Sequence, residues 1–408
     1  MSVAEHNRPD IVFGAAHMTD QAVPAPHALP VGASMSTVSG LAGLMELEPQ
    51  WRALEQDSPA SSVFQTFDWL TCWAKIYANG PQSPGLCIIT GHQDGQLVFA
   101  WPLMKVRVGP LTVLRWMAEP LSQYGDILIA SGQCPKVWME QALDLVLSLR
   151  GIDAIRLRHV RADAAVAPVL QMRFRDTGMT ELAPWLDLTQ FADEAAYDAR
   201  YSSSQRKRRK KIRKSLEDDI GPVQFDMLGA GPDADRAITE AIAEKCQWLD
   251  ERGRQNRALC ETQTADFLKL LSRASGGSTQ LVTSRLAAGG RAISWEIGLR
   301  FRGTHFGFVT SHVTALTDYS PGRLHMDLSQ RLALKNGMKA FDLMVPNDAH
   351  KESWSSAKVE TRDYHLPVSA LGRLYGIGYL ETARPLLRKA YYGMPPRLLR
   401  LLKPITGH

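Results

Sequence analysis

Tyr319-Ser320-Pro321-Gly322-Arg323-Leu324 opens a helix-like run that Gly337 stops, and Met338-Lys339-Ala340-Phe341-Asp342-Leu343 follows as an apolar strand. The segment reads as strand end, tight loop, helix start, glycine stop and buried strand. A loop that opens a helix aims free backbone N–H groups and the positive end of the helix dipole at one point, which suits an anionic group such as a pyrophosphate. Many helices start this way, so the surrounding pattern decides the meaning.

That pattern occurs twice. Leu86-Cys87-Ile88-Ile89-Thr90 meets Gln96-Leu97-Val98-Phe99-Ala100-Trp101 across Asp94-Gly95, and Gln280-Leu281-Val282-Thr283 meets Ala292-Ile293-Ser294-Trp295-Glu296-Ile297 across Gly289-Gly290. Both are hairpin signals. Each returning strand carries a small residue before a tryptophan. Each half then has another strand, a loop with a tyrosine, an amphipathic helix, a glycine stop and a buried strand. The first copy runs through Tyr124-Gly125, a helix near 136–149, Gly151 and Asp153-Ala154-Ile155-Arg156-Leu157. The repeat predicts two similar α+β domains side by side.

Between the hairpins, Glu181 to Leu188 reads as a strand and Ala192 to Leu216 as one helix carrying a basic run. Asp233 to Arg252 reads as a second helix, with Ile238, Ala241, Ile242, Lys245 and Leu249 as its stripe, and a third follows at about 263–274. Phe67, Leu70, Trp73, Ala74 and Tyr77 share one helical face and read as core. Residues 1–38, rich in Pro, Ala, Ser, Gly and His, read as disordered. His6, His17 and His27 belong to that tail rather than to a metal site. The expected division is 1–38 disordered, 39–190 first domain, 191–368 second domain with the donor site, and 369–408 a basic amphipathic tail.

The 408 residues suffice for about two or three domains. No run of 18 apolar residues and no signal peptide occurs. Five widely spaced cysteines without a Cys-x-x-Cys pair predict neither a disulfide framework nor a structural zinc site, and fit a reducing compartment, most simply the cytoplasm. The formal charge is +5, unevenly spread. Arg206-Lys207-Arg208-Arg209-Lys210-Lys211-Ile212-Arg213-Lys214 holds eight cations, and Arg384 to Lys403 holds six and no acid. The remaining 33 basic residues face 42 acidic ones.

Tyr319-Ser320-Pro321-Gly322-x-Leu324, Gly337, Phe341-Asp342-Leu343 and His350-Lys351-x-x-Trp354 together resemble the acyltransferase branch of the GNAT superfamily named for bacterial cellulose biosynthesis (CelD/BcsL-like). That branch is similar to the Fem-type transferases, which carry two GNAT-like domains. Trp51, Phe64-Gln65-Thr66 and Trp69 resemble its opening, and the basic helix ending in Leu216-Glu217 its Arg-rich element. The likeness spans about 44–368. It departs at His350, where the family often has tyrosine, and it lacks the ordinary Arg/Gln-x-x-Gly-x-Gly/Ala pyrophosphate signature.

The resemblance implies tandem GNAT-like domains, each a mixed central sheet flanked by helices. It implies transfer of an acetyl or other acyl group from acyl-CoA to an amine or hydroxyl of a sugar or polysaccharide precursor, with no metal. Such a site must hold the donor's phosphates, polarise the thioester, take a proton and return one to the thiolate. Ser320, Gly322 and Arg323 are the phosphate candidates, Gly322 because backbone can approach closely there and Arg323 by charge; the alternative is a plain helix cap. Asp342, in an apolar run, is a candidate base, or else an ion-pair partner of a lysine or arginine. Glu296 is a second candidate base, Lys351 a candidate for phosphate or oxyanion, His350 a proton shuttle and Tyr319 a donor to the thiolate. The basic run is read as a solvated helix or an anion-binding one. It lacks interleaved aromatics, against single-strand base stacking, and transfer RNA enters only if the donor is aminoacyl-tRNA, as in Fem-like enzymes. A GNAT-fold protein that binds without catalysis is the third reading. Leucines and tyrosines alternating with cations in 384–403 suit an anionic membrane surface or docking on the protein itself. A cytoplasmic enzyme, peripheral at the inner face of the membrane, is the expectation.

Overall fold

The structure is a computed structural model that describes residues 29–59, 62–78, 80, 83–254, 256–274 and 277–393. The histidines of the N-terminal segment and the basic tail beyond 393 lie outside the described residues. In chain order the first half comprises β1 (Ala33–Val38), α1 (Gly40–Glu46), α2 (Glu48–Asp57), α3 (Phe67–Tyr77), β2 (Gly85–Gln93), β3 (Gln96–Val108), β4 (Leu111–Trp116), β5 (Leu128–Ile129), α4 (Pro135–Ser148), β6 (Ala154–Arg161), α5 (Ala167–Arg173) and β7 (Arg175–Asp187). The second half comprises α6 (Glu194–Ala199), α7 (Ser203–Asp219), β8 (Val223–Leu228), α8 (Pro232–Glu251), α9 (Arg257–Cys260), α10 (Thr262–Ser272), β9 (Gln280–Ala288), β10 (Arg291–Phe301), β11 (Thr304–His312), α11 (Pro321–Lys335), β12 (Ala340–Asp342), α12 (Ala349–Glu352) and β13 (Ala357–Pro367). α13 (Ala370–Arg373), a π-helical stretch Leu374–Ala383 and α14 (Arg384–Gly393) follow.

The expected hairpins form where the turn residues allow them. Asp94 and Gly95 both take positive φ (51° and 80°), as do Gly289 and Gly290 (55° and 76°). Such paired left-handed residues match the twist of a two-residue hairpin. The strands join in one sheet, ordered β1-β2-β3-β4-β6-β13-β7-β12-β11-β10-β9-β8, with β5 on β3. Its two parallel pairs are β4/β6 and β11/β12, one per half, each bridged by a helix (α4, α11) as parallel neighbours require. At the centre β13 lies between β6 and β7, antiparallel to both, while β7 pairs with β12. Each half therefore contributes a strand to the seam.

The helices close the same seam. α3 is buried from Phe67 to Ala74, on every face rather than one, because it sits between the halves. Its Trp69 ring meets Phe267 of α10 at 4.9 Å and Phe308 of β11 at 5.5 Å, edge to face. Tyr77 Oη and Thr264 Oγ1 are 2.7 Å apart.

Three sequence expectations need correction. Ala33–Val38 is an edge strand paired with β2, not part of a disordered tail. The single helix expected over 192–216 breaks before α7, because Ser202 and Gln205 form a reciprocal cap that starts a new helix. Cys246 and Cys260 are disulfide-bonded, since the chain folds back between α8 and α9 and brings their Cα atoms to 5.8 Å. Such bonds persist in oxidising compartments, so cysteine usage no longer argues for the cytoplasm. Ahead of the basic segment, Tyr375 and Leu380 are buried in a cluster with Val113 and Ala154 of the first half. No helix among the described residues is long and apolar enough to cross a membrane.

Candidate functional site

β11 and β12 pair over only three positions, Thr304↔Ala340 to Phe306↔Asp342. Beyond them β11 continues along β10 to His312, with an extra residue at Phe308, and the other chain departs through Leu343 to Lys351. The two paths enclose a wedge-shaped cavity of about 310 Å³. Its walls are the end of β11, Ser294 and Glu296 of β10, Lys245 and Trp248 of α8, the start of α11, and His350 with Lys351 on α12.

The start of α11 fits an anion. Ser320 adopts left-handed φ/ψ (54°, 46°) and its side chain does not cap the helix. Pro321 at the first position has no N–H to leave unsatisfied, so the first free amide is that of Gly322. A Cβ on Gly322 would lie 3.4 Å from His312 Nδ1, so the helix start and the strand end are in contact. Arg323 lies on the same wall.

Nitrogen bases line the rest of the wedge. Burial holds the His312 imidazole below its ordinary pKa, and Lys245, Arg252 and His350 add to the effect. His350 is lowered by burial too; Asp348 opposes this, while Arg323, Lys351 and Lys245 reinforce it. Both rings are therefore neutral at pH 7 and able to accept a proton. Burial brings the Lys351 ammonium down to about 8. Its Nζ donates to the carbonyls of Met344 and Pro346, each at 2.9 Å, which fixes the cation at the wedge.

Glu296 forms the floor, buried and 2.6 Å from His305 Nε2. Burial alone would raise this carboxyl, but the bond to His305 and the fields of His305 and His325 hold it below its ordinary value. It is thus an ion held in place by a histidine. Gly298 is required there, because a Cβ would lie 2.6 Å from His305 Nε2. His325, whose Nε2 is 2.7 Å from Ser284 Oγ, is pushed down to about 4 by burial.

Six of the eight residues singled out in the sequence line this one cavity: Glu296, Ser320, Gly322, Arg323, His350 and Lys351. Two do not. Tyr319 lines a neighbouring cavity against α7 and bonds to Asp219. Asp342 faces a cavity of about 340 Å³ at the seam, with Tyr124, Arg161 and Asp163. There it accepts from Tyr124 Oη (2.8 Å), the Met344 amide (2.7 Å) and Arg161 (3.0 Å). Burial raises the Asp342 carboxyl, opposed by Arg161. Trp354 of the Lys-x-x-Trp pair is buried core, stacked on Arg209 at 4.3 Å.

Sequence reasoning missed His312, Lys245 and His325. Lys245 carried a signal, a lysine inside an apolar helical stripe. The histidines carried none, because their value comes from neighbours distant in the chain. In the first half Trp116, Ile127, Trp138 and Leu157 share one core cluster, and a Cβ on Gly125 would lie 2.0 Å from Trp116 Nε1.

Residues 203–352 match the family model of an acetyltransferase (GNAT) domain. A search of curated proteins finds no match. Among solved structures the chain resembles FemX (TM-score 0.54, 10% identity, covering 81% of this chain and 97% of that one). It also resembles a conserved protein of unknown function from Bacteroides thetaiotaomicron VPI-5482 (TM-score 0.50, 11% identity, 79% and 97% covered). A third likeness is to the C-terminal domain of a protein from Agrobacterium fabrum named for lysylphosphatidylglycerol synthesis (TM-score 0.50, 10% identity, 83% and 96% covered). These likenesses are in fold. The second half, over residues 203–352, thus carries an acetyltransferase (GNAT) domain.

Proposed function

We propose that the second-half wedge transfers an acyl group, acetyl in the simplest case, from acyl-CoA to a hydroxyl or amine of a sugar or polysaccharide precursor, as in the cellulose-biosynthesis branch that the sequence resembles. The observation that carries this reading is the single cavity joining the α11 start to His312, His350 and Lys351. Gly322 N–H and Arg323 hold donor phosphate. Lys351 places positive charge where the thioester oxygen becomes negative. His350 or His312 takes the proton of the attacking hydroxyl or amine. The acceptor's oxygen or nitrogen bonds to the carbonyl carbon, the C–S bond breaks, and the thiolate receives a proton from the histidinium. Glu296, held by His305, keeps negative charge beneath the cationic form of these groups. Asp342 and the seam cavity suit the acceptor, whose hydroxyls or amine would find carboxylates there.

A Fem-like transfer of an aminoacyl group from charged transfer RNA is the alternative, favoured by the cations of α7. Release of free CoA thiol from acetyl-CoA in the presence of nucleotide sugars tests the first reading. RNase-sensitive transfer of an amino acid, without thiol release, supports the second.

On this reading the enzyme works at the inner face of the cytoplasmic membrane, where acyl-CoA is available. Leu374, Leu386 and Leu387 are 70%, 65% and 61% exposed, next to Arg373 and Lys389. Apolar side chains beside cations favour contact with anionic lipid.

A further inference from the structure

The basic face of α7 has no part in the acyl transfer described above, yet its orientation is fixed. Arg209 is the anchor: it bonds Asp327 at 2.5 Å and lies over the Tyr201 and Trp354 rings, 3.3 and 4.3 Å from their centroids. Arg213 is taken by Glu217 at 2.9 Å. This anchoring turns Arg208, Lys211, Ile212 and Ser215, spaced as one helical face, toward the start of α11. With Tyr319 and Ser320 they line a cavity of about 290 Å³. Arg208 meets Arg323 in a smaller cavity of about 100 Å³. Among the ion pairs of the described residues, none involves Arg208, Lys211 or Arg323. Two carboxylates reach the larger cavity, Asp219 and Asp318, and Asp219 is engaged by Tyr319. Ser320 belongs to both this cavity and the acyl-transfer wedge, so the two adjoin.

Cations gathered on one wall without bonded counter-charges repel each other. Burial and the nearby Arg208 and Arg209 indeed lower the Arg323 guanidinium. An anion there removes that repulsion and gains charge-assisted hydrogen bonds. We propose that Arg208 and Lys211 bind a second anionic group of the donor, the 3′-phosphate on the ribose of CoA, while Arg323 and the Gly322 amide take its pyrophosphate. The basic helix is then a donor-recognition element that distinguishes CoA from nucleotides lacking that phosphate. This inference rests on the acyl-CoA reading.

Calorimetry of the full chain with CoA and with 3′-dephospho-CoA tests it. CoA is expected to bind about tenfold more tightly. Arg208→Gln with Lys211→Gln should weaken CoA to the level of dephospho-CoA and leave dephospho-CoA affinity as it was. Lys210→Gln with Lys214→Gln removes the same charge from the opposite side of α7 and should preserve the preference. Equal affinity of the native chain for both nucleotides, or an equal loss in both double variants, overturns the inference while the acyl-CoA reading stands. Binding of neither nucleotide overturns both.

Discussion

Arg161 Nη1 donates to Asp342 Oδ2 at 3.0 Å, tying β6 of the first half to β12 of the second. The two strands are not neighbours: β13 and β7 lie between them, a span of about 14 Å at ordinary strand spacing. Arg161 stacks on the Tyr124 ring, 5.0 Å from the centroid, while Tyr124 Oη bonds the other carboxylate oxygen at 2.8 Å. The carboxylate in the apolar run is thus both a seam tie and a lining group of the seam cavity.

Asp342→Asn weakens that tie and leaves Arg161 to Asp163 alone. Breaking one side of a buried pair costs about 3 kcal/mol, and urea unfolding should register a loss of that order. Because Asp342 lies outside the wedge, acetyl-CoA affinity should not change, while turnover should fall. A variant with full turnover removes Asp342 from the mechanism.

His312 and His350 are both held neutral by burial and nearby cations. Replacing either with Gln should lower kcat about 10²-fold, the scale of a lost general base. kcat/KM should be flat near neutral pH and decline above about 8 as Lys351 loses its proton. Lys351→Arg should abolish that alkaline decline; a decline that persists assigns it to another group.

Asp126 supplies a pH test of stability. It is buried and accepts three backbone N–H groups, from Ile127, Ala165 and Val166. Burial outweighs those bonds and pushes the carboxyl up to about 7. The folded chain then holds a proton that the unfolded chain releases near 3.9. Its contribution is fully present below that value and is lost as pH rises through about 7. Urea midpoints of the native chain relative to Asp126→Asn, which does not titrate, should fall between pH 4 and 8. A constant difference contradicts the shift.

The repeat, both hairpins and the α11 start were legible because local rules fix them: paired left-handed turn residues, the apolar period, and proline at a helix start. Ser320, Gly322 and Arg323 sit at that helix start and Glu296 on a hairpin strand, whereas His350 and Lys351 were legible through the family resemblance. The exchange of β7 and β13 at the seam was not, because pairing between strands 180 residues apart leaves no mark on local pattern. Nor was the Arg161–Asp342 tie, although a carboxylate in an apolar strand announced that some partner existed. Cys246–Cys260 escaped because helix packing, not a spacing motif, brings the thiols together.

The exposed leucines of the C-terminal helices predict flotation of the full chain with anionic liposomes. A chain ending at residue 383 lacks Leu386, Leu387 and the following cations and should float less. Unchanged flotation, or none by the full chain, refutes membrane docking by this segment.

On the acyl-CoA reading one half, the second, holds the donor. Calorimetry of the full chain with acetyl-CoA measures it most directly. One site per chain is predicted, weakened about tenfold by Arg323→Gln, the scale of a lost charge-assisted contact. Two sites per chain, no binding, or full affinity in the Arg323 variant would contradict it.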